Sequence, residues 1–318
     1  GSSLAWSATI NSAASGNWSS ASTWTGGVVP GPNDDVVIAN GHTVTVDLDV
    51  EVKSLTLNNA ANTNVQPAST GTYTITINGN DGTDALDIGA AAGFLYSNGT
   101  GRLNLVFSGT SAQQIQLAAN ANGTVGLNVN DITFNNGTSV TFSGNFSWRL
   151  YGNMTLSGNA SVTVGAYNAS KTLDIYGINS TITVGSSASL TLSNVSIAAT
   201  ATNVTMAGSA TVSGTFTVAT GGKFNQTSGT ITLTNGTGAP GAIIVNTGQT
   251  TAAGAEYLSF YNLDLNNNIP QNITPGTSFQ VKGNFTKTGT ANFAPTAGYV
   301  VFKNQATPNN AKTISIAG

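Results

Sequence analysis

The chain has no cysteine among its 318 residues. Disulfides, thiolate metal sites and cysteine nucleophiles are therefore excluded together. Small proteins outside the cell often depend on disulfides for their stability. An extracellular chain of this composition would instead need a long, repetitive hydrogen-bonded ladder.

Charge is also scarce, since 7% of the residues are charged and the formal net charge is −3. An ordinary soluble domain has roughly a quarter of its residues charged, so this surface must consist mainly of Ser, Thr, Asn and Gly. Nine Lys and Arg residues cannot form the basic patch of a non-specific nucleic-acid binder. No apolar run reaches the length of about 18 residues that predicts a transmembrane helix. We expect neither a nucleic-acid partner nor a membrane span.

Ionisable groups are isolated over the middle of the chain. Between Leu103 and Ala255 the acidic and basic residues are Asp131, Arg149, Lys171, Asp174 and Lys223. A β-helix lyase or glycosidase would need several carboxylates in one groove, and His42 lies in a predicted turn without a partner to orient it. The sequence therefore predicts that the chain is not an enzyme.

What the chain does contain is a succession of short β-type runs separated by Gly and Asn turns, most densely from about Thr133 to Thr234. In the clearest alternation, Val44, Val46, Leu48, Val50 and Val52 share one face, which is the period of a strand with one buried side. A spacing near twenty residues between similar runs suits one coil of a solenoid, in which stacked coils bury each other's inward side chains. We predict an all-β fold, a parallel β-helix (β-solenoid) with an N-terminal capping segment. The alternative is a series of β-sandwich repeats.

The opening segment places Asn17-Trp18, Trp24-Thr25-Gly26-Gly27, a Pro-Gly-Pro turn and Val36-Val37-Ile38 in succession. Over about Asn17 to Leu57 it resembles the start of large secreted microbial surface proteins built on β-helices. It is also similar to the glycine-rich domain that begins some extracellular β-helix proteins. The resemblance implies the first coil and cap of a secreted β-solenoid and an extracellular or cell-surface location, and it brings no catalytic residues with it.

Three regions are predicted. Residues 1–60 form the cap and the first strands, residues 61–257 the solenoid trunk, and residues 258–318 a C-terminal repeat unit. The last region is similar to an earlier one, because Val300–Ile316 resembles Leu105–Leu117. It reads as the start of a further unit, so we expect it to be incomplete or to pair with a neighbour.

Asp81, Asp84 and Asp87 form the best cation candidate, because Ca²⁺ prefers several oxygen ligands from a flexible turn. No other cofactor is expected. The alternative is a turn in which the Asp side chains cap local backbone groups.

Asn-x-Ser/Thr sequences occur about fifteen times, where chance from this composition gives on the order of ten. They predict a glycoprotein surface if the host glycosylates Asn. The alternatives are turn Asn residues in the left-handed conformation and stacked Asn ladders. The candidates are Asn98, Asn136, Asn145, Asn153, Asn159, Asn168, Asn179, Asn194, Asn203, Asn225, Asn235, Asn272 and Asn284.

Aromatic rings could stack on sugars, and Trp18 and Trp24 are the predicted glycan-stacking residues. Trp148 is predicted to lie in the core together with Phe146.

These patterns favour an extracellular structural protein, the building block of a cell-surface fibre, sheath or adhesin stalk. Its partner would be itself, because the ends of a solenoid expose strand edges that must be capped or paired. The alternative is a carbohydrate-binding adhesin module whose partners are surface glycans. A polysaccharide-degrading β-helix enzyme ranks third.

Overall fold

The computed structural model describes residues 7–90, 94–95, 100–118, 127–135, 137, 139–144, 147–164, 171–234, 244–266, 277–289, 298–303 and 314–316, with the side chains of 94–95 and 314–316 left aside. The chain divides into unit 1, Gly1–Thr163, and unit 2, Val164–Gly318. Helical structure in the described ranges consists of three 3-10 segments, Ala21–Thr23, Thr25–Gly27 and Ala253–Tyr257. No helix there is both long and apolar enough to cross a membrane.

Unit 1 is built from short strands in chain order. They are β1 (Thr9–Asn11), β2 (Gly16–Asn17), β3 (Asp35–Ile38), β4 (Thr43–Val46), β5 (Val50–Val52), β6 (Ser54–Leu57), β7 (Asn64–Pro67), β8 (Thr72–Ile77), β9 (Leu86–Ile88), β10 (Phe94–Leu95), β11 (Arg102–Phe107), β12 (Gln113–Leu117), β13 (Leu127–Val129), β14 (Ile132–Phe134), β15 (Ser139–Ser143), β16 (Trp148–Leu150), β17 (Met154–Leu156) and β18 (Ser161–Thr163).

Unit 2 continues the series. Its strands are β19 (Thr172–Ile175), β20 (Thr181–Val184), β21 (Ser189–Leu192), β22 (Asn194–Ile197), β23 (Val204–Ala207), β24 (Ala210–Val212), β25 (Phe216–Val218), β26 (Phe224–Gln226), β27 (Thr230–Leu233), β28 (Ile244–Asn246), β29 (Leu258–Phe260), β30 (Asn262–Leu265), β31 (Phe279–Val281), β32 (Phe285–Lys287), β33 (Val300–Phe302) and β34 (Ile314–Ile316).

Each unit arranges its strands in three parallel sheets, in which each strand stacks on one that lies two or three strands earlier in the chain. In unit 1 the orders are β1-β3-β6-β9-β12-β15-β18, β2-β4-β7-β10-β13-β16 and β5-β8-β11-β14-β17. In unit 2 they are β21-β24-β27-β30-β32-β34, β19-β22-β25-β28 and β20-β23-β26-β29-β31-β33. Each unit is therefore a parallel β-solenoid. This confirms the predicted fold, and the β-sandwich alternative is wrong.

Alternation along each strand explains the core. In β11 the side chains of Leu103, Leu105 and Phe107 are buried, while those between them are half-buried. Parallel register then places like residues on one another, since Leu105 pairs with Ile75 on one side and Ile132 on the other. Stacking thus converts a period-two pattern into a continuous apolar interior.

Aromatic rings continue this stacking inside both units. In unit 1 the rings of Phe107 and Phe134 are stacked with centroids 5.5 Å apart, and Phe142 and Trp148 follow at 5.0 Å. Trp148 is thus in the core as predicted, whereas Phe146 lies outside the described residues. In unit 2 the sequence of ring contacts runs through Phe216, Phe224, Phe260 and Phe279.

The predicted strand from Val44 to Val52 is wrong in one respect, because it is two strands. Val44 and Val46 are buried in β4 and Val52 is buried in β5, but Leu48 is exposed at the corner between them. β4 pairs with β7 and β5 pairs with β8, which belong to different sheets. A solenoid corner is therefore compatible with an uninterrupted alternation of apolar and polar residues.

The coil length agrees with the predicted spacing near twenty in the middle of the chain, whereas other coils are longer, since Leu55 pairs with Leu86 after 31 residues. In unit 2, Thr191 pairs with Thr211 and Thr211 pairs with Thr232, so successive coils are 20 and 21 residues long at this point.

In the predicted capping segment, Trp18 and Trp24 are 0% and 2% exposed. Their rings meet edge to face at a centroid distance of 4.9 Å, and Trp24 Nε1 donates a 2.8 Å hydrogen bond to the Trp18 carbonyl. An antiparallel bridge between Ser12 and Trp24 folds the turn back over the first coil. The prediction that these two rings stack on glycans is wrong, because neither ring is accessible.

Candidate functional site

In the loop that contains Asp81, Asp84 and Asp87, two of the carboxylates accept hydrogen bonds from other groups of the protein. One oxygen of Asp81 accepts hydrogen bonds from the backbone nitrogens of Thr83 and Asp84, at 2.9 and 2.8 Å. Asp84 accepts a 2.7 Å bond from the amide of Gln114. The capped-turn alternative therefore describes Asp81.

Burial raises the pKa of Asp84 and of Asp87, and in each case a neighbouring carboxylate adds to the rise. Within the described ranges no three His, Asp or Glu side chains come together as a metal site. Calcium binding by Asp81, Asp84 and Asp87 stays a prediction that this arrangement of the side chains does not favour.

His42 is half-buried and joins two coils at the start of unit 1. Its Nδ1 lies 2.8 Å from Ser12 Oγ, and the same hydroxyl accepts a bond from the Ala39 backbone nitrogen. A histidine bonded in this way holds the first coil in place.

The glycosylation candidates differ in accessibility. Asn153, Asn159, Asn179, Asn203 and Asn284 are exposed, and Asn225 is half-buried. Asn98, Asn136, Asn145, Asn168, Asn235 and Asn272 lie outside the described residues.

Asn194 is the exception, because it is buried at the start of β22. Its amide nitrogen donates to the Lys171 carbonyl at 3.0 Å, and its oxygen accepts from the Thr215 nitrogen at 3.0 Å. The nitrogen that would carry a glycan is therefore occupied within the folded coil.

The two alternatives for the Asn residues can be separated. The amide of Asn203 donates to the Asn179 oxygen at 3.2 Å, which is a rung of a stacked Asn ladder. Among the described non-glycine residues, a positive φ occurs at Asn62 alone, so none of the described candidates adopts the left-handed conformation. Glycosylation itself stays a prediction.

The two units carry opposite charge. Residues 1–163 contain nine acidic and three basic side chains, whereas residues 164–318 contain three acidic and six basic ones. Three of the six basic residues of unit 2 lie beside strands of its third sheet, next to β26, β31 and β33. We call this surface the lysine face and define it by Lys223, Lys282 and Lys303 with Tyr257 and Tyr299.

Parallel register brings two of these lysines together. Val281 pairs with Phe302, and Lys282 and Lys303 are the next residues of the two strands. The Lys303 backbone nitrogen donates to the Val281 carbonyl at 3.0 Å, so the ladder continues to this point. Neighbouring strands lie about 4.8 Å apart, so the two ammonium-bearing side chains start from adjacent positions.

Lys282 is 9% exposed. Its Nζ contacts Asn225 Oδ1 and lies 3.5 Å from the Gln226 carbonyl, both of which are neutral acceptors. Lys303 Nζ forms an ion pair with Glu256. Burial lowers the pKa of Lys282, and the positive charges of Lys303 and Lys223 lower it further.

Lys223 also acts on Glu256, whose pKa is lowered chiefly by its hydrogen bond to Lys303. The three lysines and Glu256 therefore form one electrostatic cluster. Sequence reasoning missed it because each lysine is isolated along the chain, and the register of β31 and β33 is needed to bring Lys282 beside Lys303.

The third 3-10 segment, Ala253–Tyr257, covers part of the same sheet. Ser259 and Gln280, which alternate with inward residues, are consequently buried as well. The amide of Asn246 holds the segment by donating to the carbonyls of Gly254 and Ser278, at 3.3 and 2.7 Å.

Two tyrosines stay accessible beside this cover, Tyr257 at its end and Tyr299 just before β33, with Tyr299 54% exposed. The Tyr299 backbone nitrogen donates to Ser278 Oγ at 3.1 Å, which fixes the start of β33. The accessible aromatic rings of this face are thus tyrosines next to lysines.

No protein-family profile, curated protein or solved structure matches the chain. Any functional conclusion therefore depends on the residues and contacts described above.

Proposed function

We propose that the chain is an extracellular structural protein, the building block of a cell-surface fibre, sheath or adhesin stalk that assembles with copies of itself. Support comes from the outer surface of the coils, which consists largely of Thr, Ser and Asn between buried apolar residues. Such a surface suits a passive scaffold. The stability of a solenoid arises from coil-on-coil contacts, so adding coils from another chain extends the same interactions.

The observation that carries the proposal is Phe302 in β33. Its partner in the ladder, Val281, is 1% exposed, but Phe302 is 47% exposed. Among the described strands β33 pairs with β31 alone. Pairing of a further strand with β33 would bury an inward-facing aromatic side chain such as this one.

The test is the concentration dependence of the sedimentation coefficient, combined with negative-stain electron microscopy. We expect the wild-type chain to form elongated assemblies and Phe302→Asp to reduce them sharply. Ile178→Asp is the matched control, since Ile178 is also an exposed apolar residue but lies in a turn after β19. A wild-type chain that stays monomeric at all concentrations would refute the proposal.

A second candidate is a carbohydrate-binding adhesin module, and the exposed tyrosines of the lysine face favour it. Tyrosine presents an apolar ring and a polar hydroxyl at low entropic cost, which suits contacts with sugars. A glycan array tests this function. Tyr299→Ala should lose the bound glycans, while Tyr151→Ala, which alters an exposed tyrosine of unit 1, should retain them.

A further inference from the structure

The lysine face has more positive charge than its own carboxylates can balance. Lys282 and Lys303 occupy adjacent positions on neighbouring strands, where like charges destabilise a sheet. Thr, Ser or Asn fill most of the equivalent outward positions of this chain, and only 7% of its residues are charged. Two lysines side by side therefore incur a cost that a neutral residue would avoid.

The carboxylate of Glu256 compensates only part of this charge, because it is paired with Lys303. Lys282 reaches neutral acceptors on Asn225 and Gln226. Lys223 is exposed and lies level with Tyr257 at the start of β26 and β29, because the next residues of the two strands, Phe224 and Leu258, are paired. The cluster thus has three lysines and one carboxylate, and its net positive charge is left for an anion from outside the chain.

The surroundings indicate what kind of anion. Tyr257 and Tyr299 are exposed beside the segment that covers part of this sheet, so a ligand lying on the exposed part of the face can place a ring against tyrosine. A nucleic acid would require more phosphate contacts than three lysines provide on a chain of net charge −3. A polymer with one carboxylate or sulfate on each sugar offers anionic groups to the lysines and sugar rings to the aromatic border.

We propose that the lysine face binds an acidic polysaccharide, with its anionic groups on Lys223 and Lys303, its sugar rings against Tyr299 and Tyr257, and Lys282 supplying positive potential from beneath. This inference depends on the second candidate function, carbohydrate binding, and names the class of carbohydrate. It is independent of self-assembly.

Affinity electrophoresis in native gels containing a dissolved polymer is the test. Polygalacturonate and dextran sulfate should retard the full chain, and neutral dextran should not. Lys223→Gln and Lys303→Gln should each weaken binding about tenfold, the value of one charge-assisted hydrogen bond. Lys171→Gln is the matched control, because it removes one positive charge from unit 2 away from the lysine face and should leave the retardation unchanged.

Tyr299→Ala should weaken binding to both acidic polymers without altering the net charge, and circular dichroism verifies that each variant is folded. Equal retardation by neutral dextran would overturn the acidic preference but leave carbohydrate binding intact. Retardation by none of the three polymers would overturn both. A loss with Lys171→Gln as large as that with Lys303→Gln would show general charge attraction and refute the site, and so would tighter binding of a single-stranded oligonucleotide than of polygalacturonate.

Discussion

Replacing Trp24 by alanine removes the ring that closes the first coil of unit 1. The ring is 2% exposed and packs edge to face on Trp18. Truncating a buried tryptophan to alanine costs about 4 kcal/mol, of which the aromatic pair accounts for about 1 kcal/mol. The hydrogen bond from Trp24 Nε1 to the Trp18 carbonyl contributes about another 1 kcal/mol.

The loss of stability in Trp24→Ala should be confined to the coils next to the substitution, since each coil of a solenoid contacts only its neighbours. Hydrogen–deuterium exchange measures it directly, because local opening determines how fast a backbone amide exchanges. A cost of about 4 kcal/mol corresponds to roughly a thousandfold faster exchange. We expect this change at Trp18, whose nitrogen donates to the Thr45 carbonyl, and in β4, while β27 of unit 2 exchanges as in the wild type.

Trp24→Phe serves as the control, because it keeps a buried ring and loses the hydrogen bond. Its cost should be about 1–2 kcal/mol, so its exchange should lie between those of the wild type and Trp24→Ala. Unchanged protection of Trp18 and β4 in Trp24→Ala would refute the assignment of this turn as a cap. An equal increase in both units would refute the local nature of the effect.

Three further perturbations follow. The pKa of Lys282 is lowered below 10.5, so between the lowered pKa and 10.5 the unfolded state binds more protons than the folded state, and the stability of the wild type rises with pH. In urea unfolding, Lys282→Met should be more stable than the wild type at neutral pH and should lack this rise. Equal slopes of stability against pH in the two proteins would contradict the prediction. The pKa of Asp87 is raised above 3.8, so ionisation of Asp87 lowers the stability of the wild type as the pH rises from 3.8 through the raised pKa. Thermal melts of Asp87→Asn should lack this decrease in stability. The same pH dependence of stability in Asp87→Asn and the wild type would contradict the prediction. Asp81→Ala should lose about 2 kcal/mol with its two backbone bonds, and a Tm that Ca²⁺ raises in the wild type but not in Asp81→Ala would assign the loop to calcium instead.

The fold could be predicted from the sequence because alternation and turn residues are local signals. β11 and β12 were recognisable from their apolar positions alone. The corner at Leu48 could not be recognised in this way, because the alternation of apolar and polar residues continues from β4 through the bend into β5. Only pairing with different sheets distinguishes the two strands.

The candidate site was harder to predict, because its members come together through register. Nothing near Lys282 in the sequence indicates Lys303, which becomes its neighbour once β31 and β33 are aligned. The prediction that Trp18 and Trp24 stack on glycans was wrong for a related reason. A Gly-rich turn normally lies on the surface, and the antiparallel bridge from Ser12 to Trp24 that buries this one leaves no local pattern.

The coils of unit 2 differ in length without changing their register. Thr211 pairs with Thr232 after 21 residues, but Thr232 pairs with Asp264 after 32. Among the described residues, the connection between β28 and β29 accounts for part of the additional length and contains the segment Ala253–Tyr257. A corner is therefore a position where chain can be gained or lost while the neighbouring strands keep their partners, which makes it the natural place to graft a peptide epitope onto this scaffold.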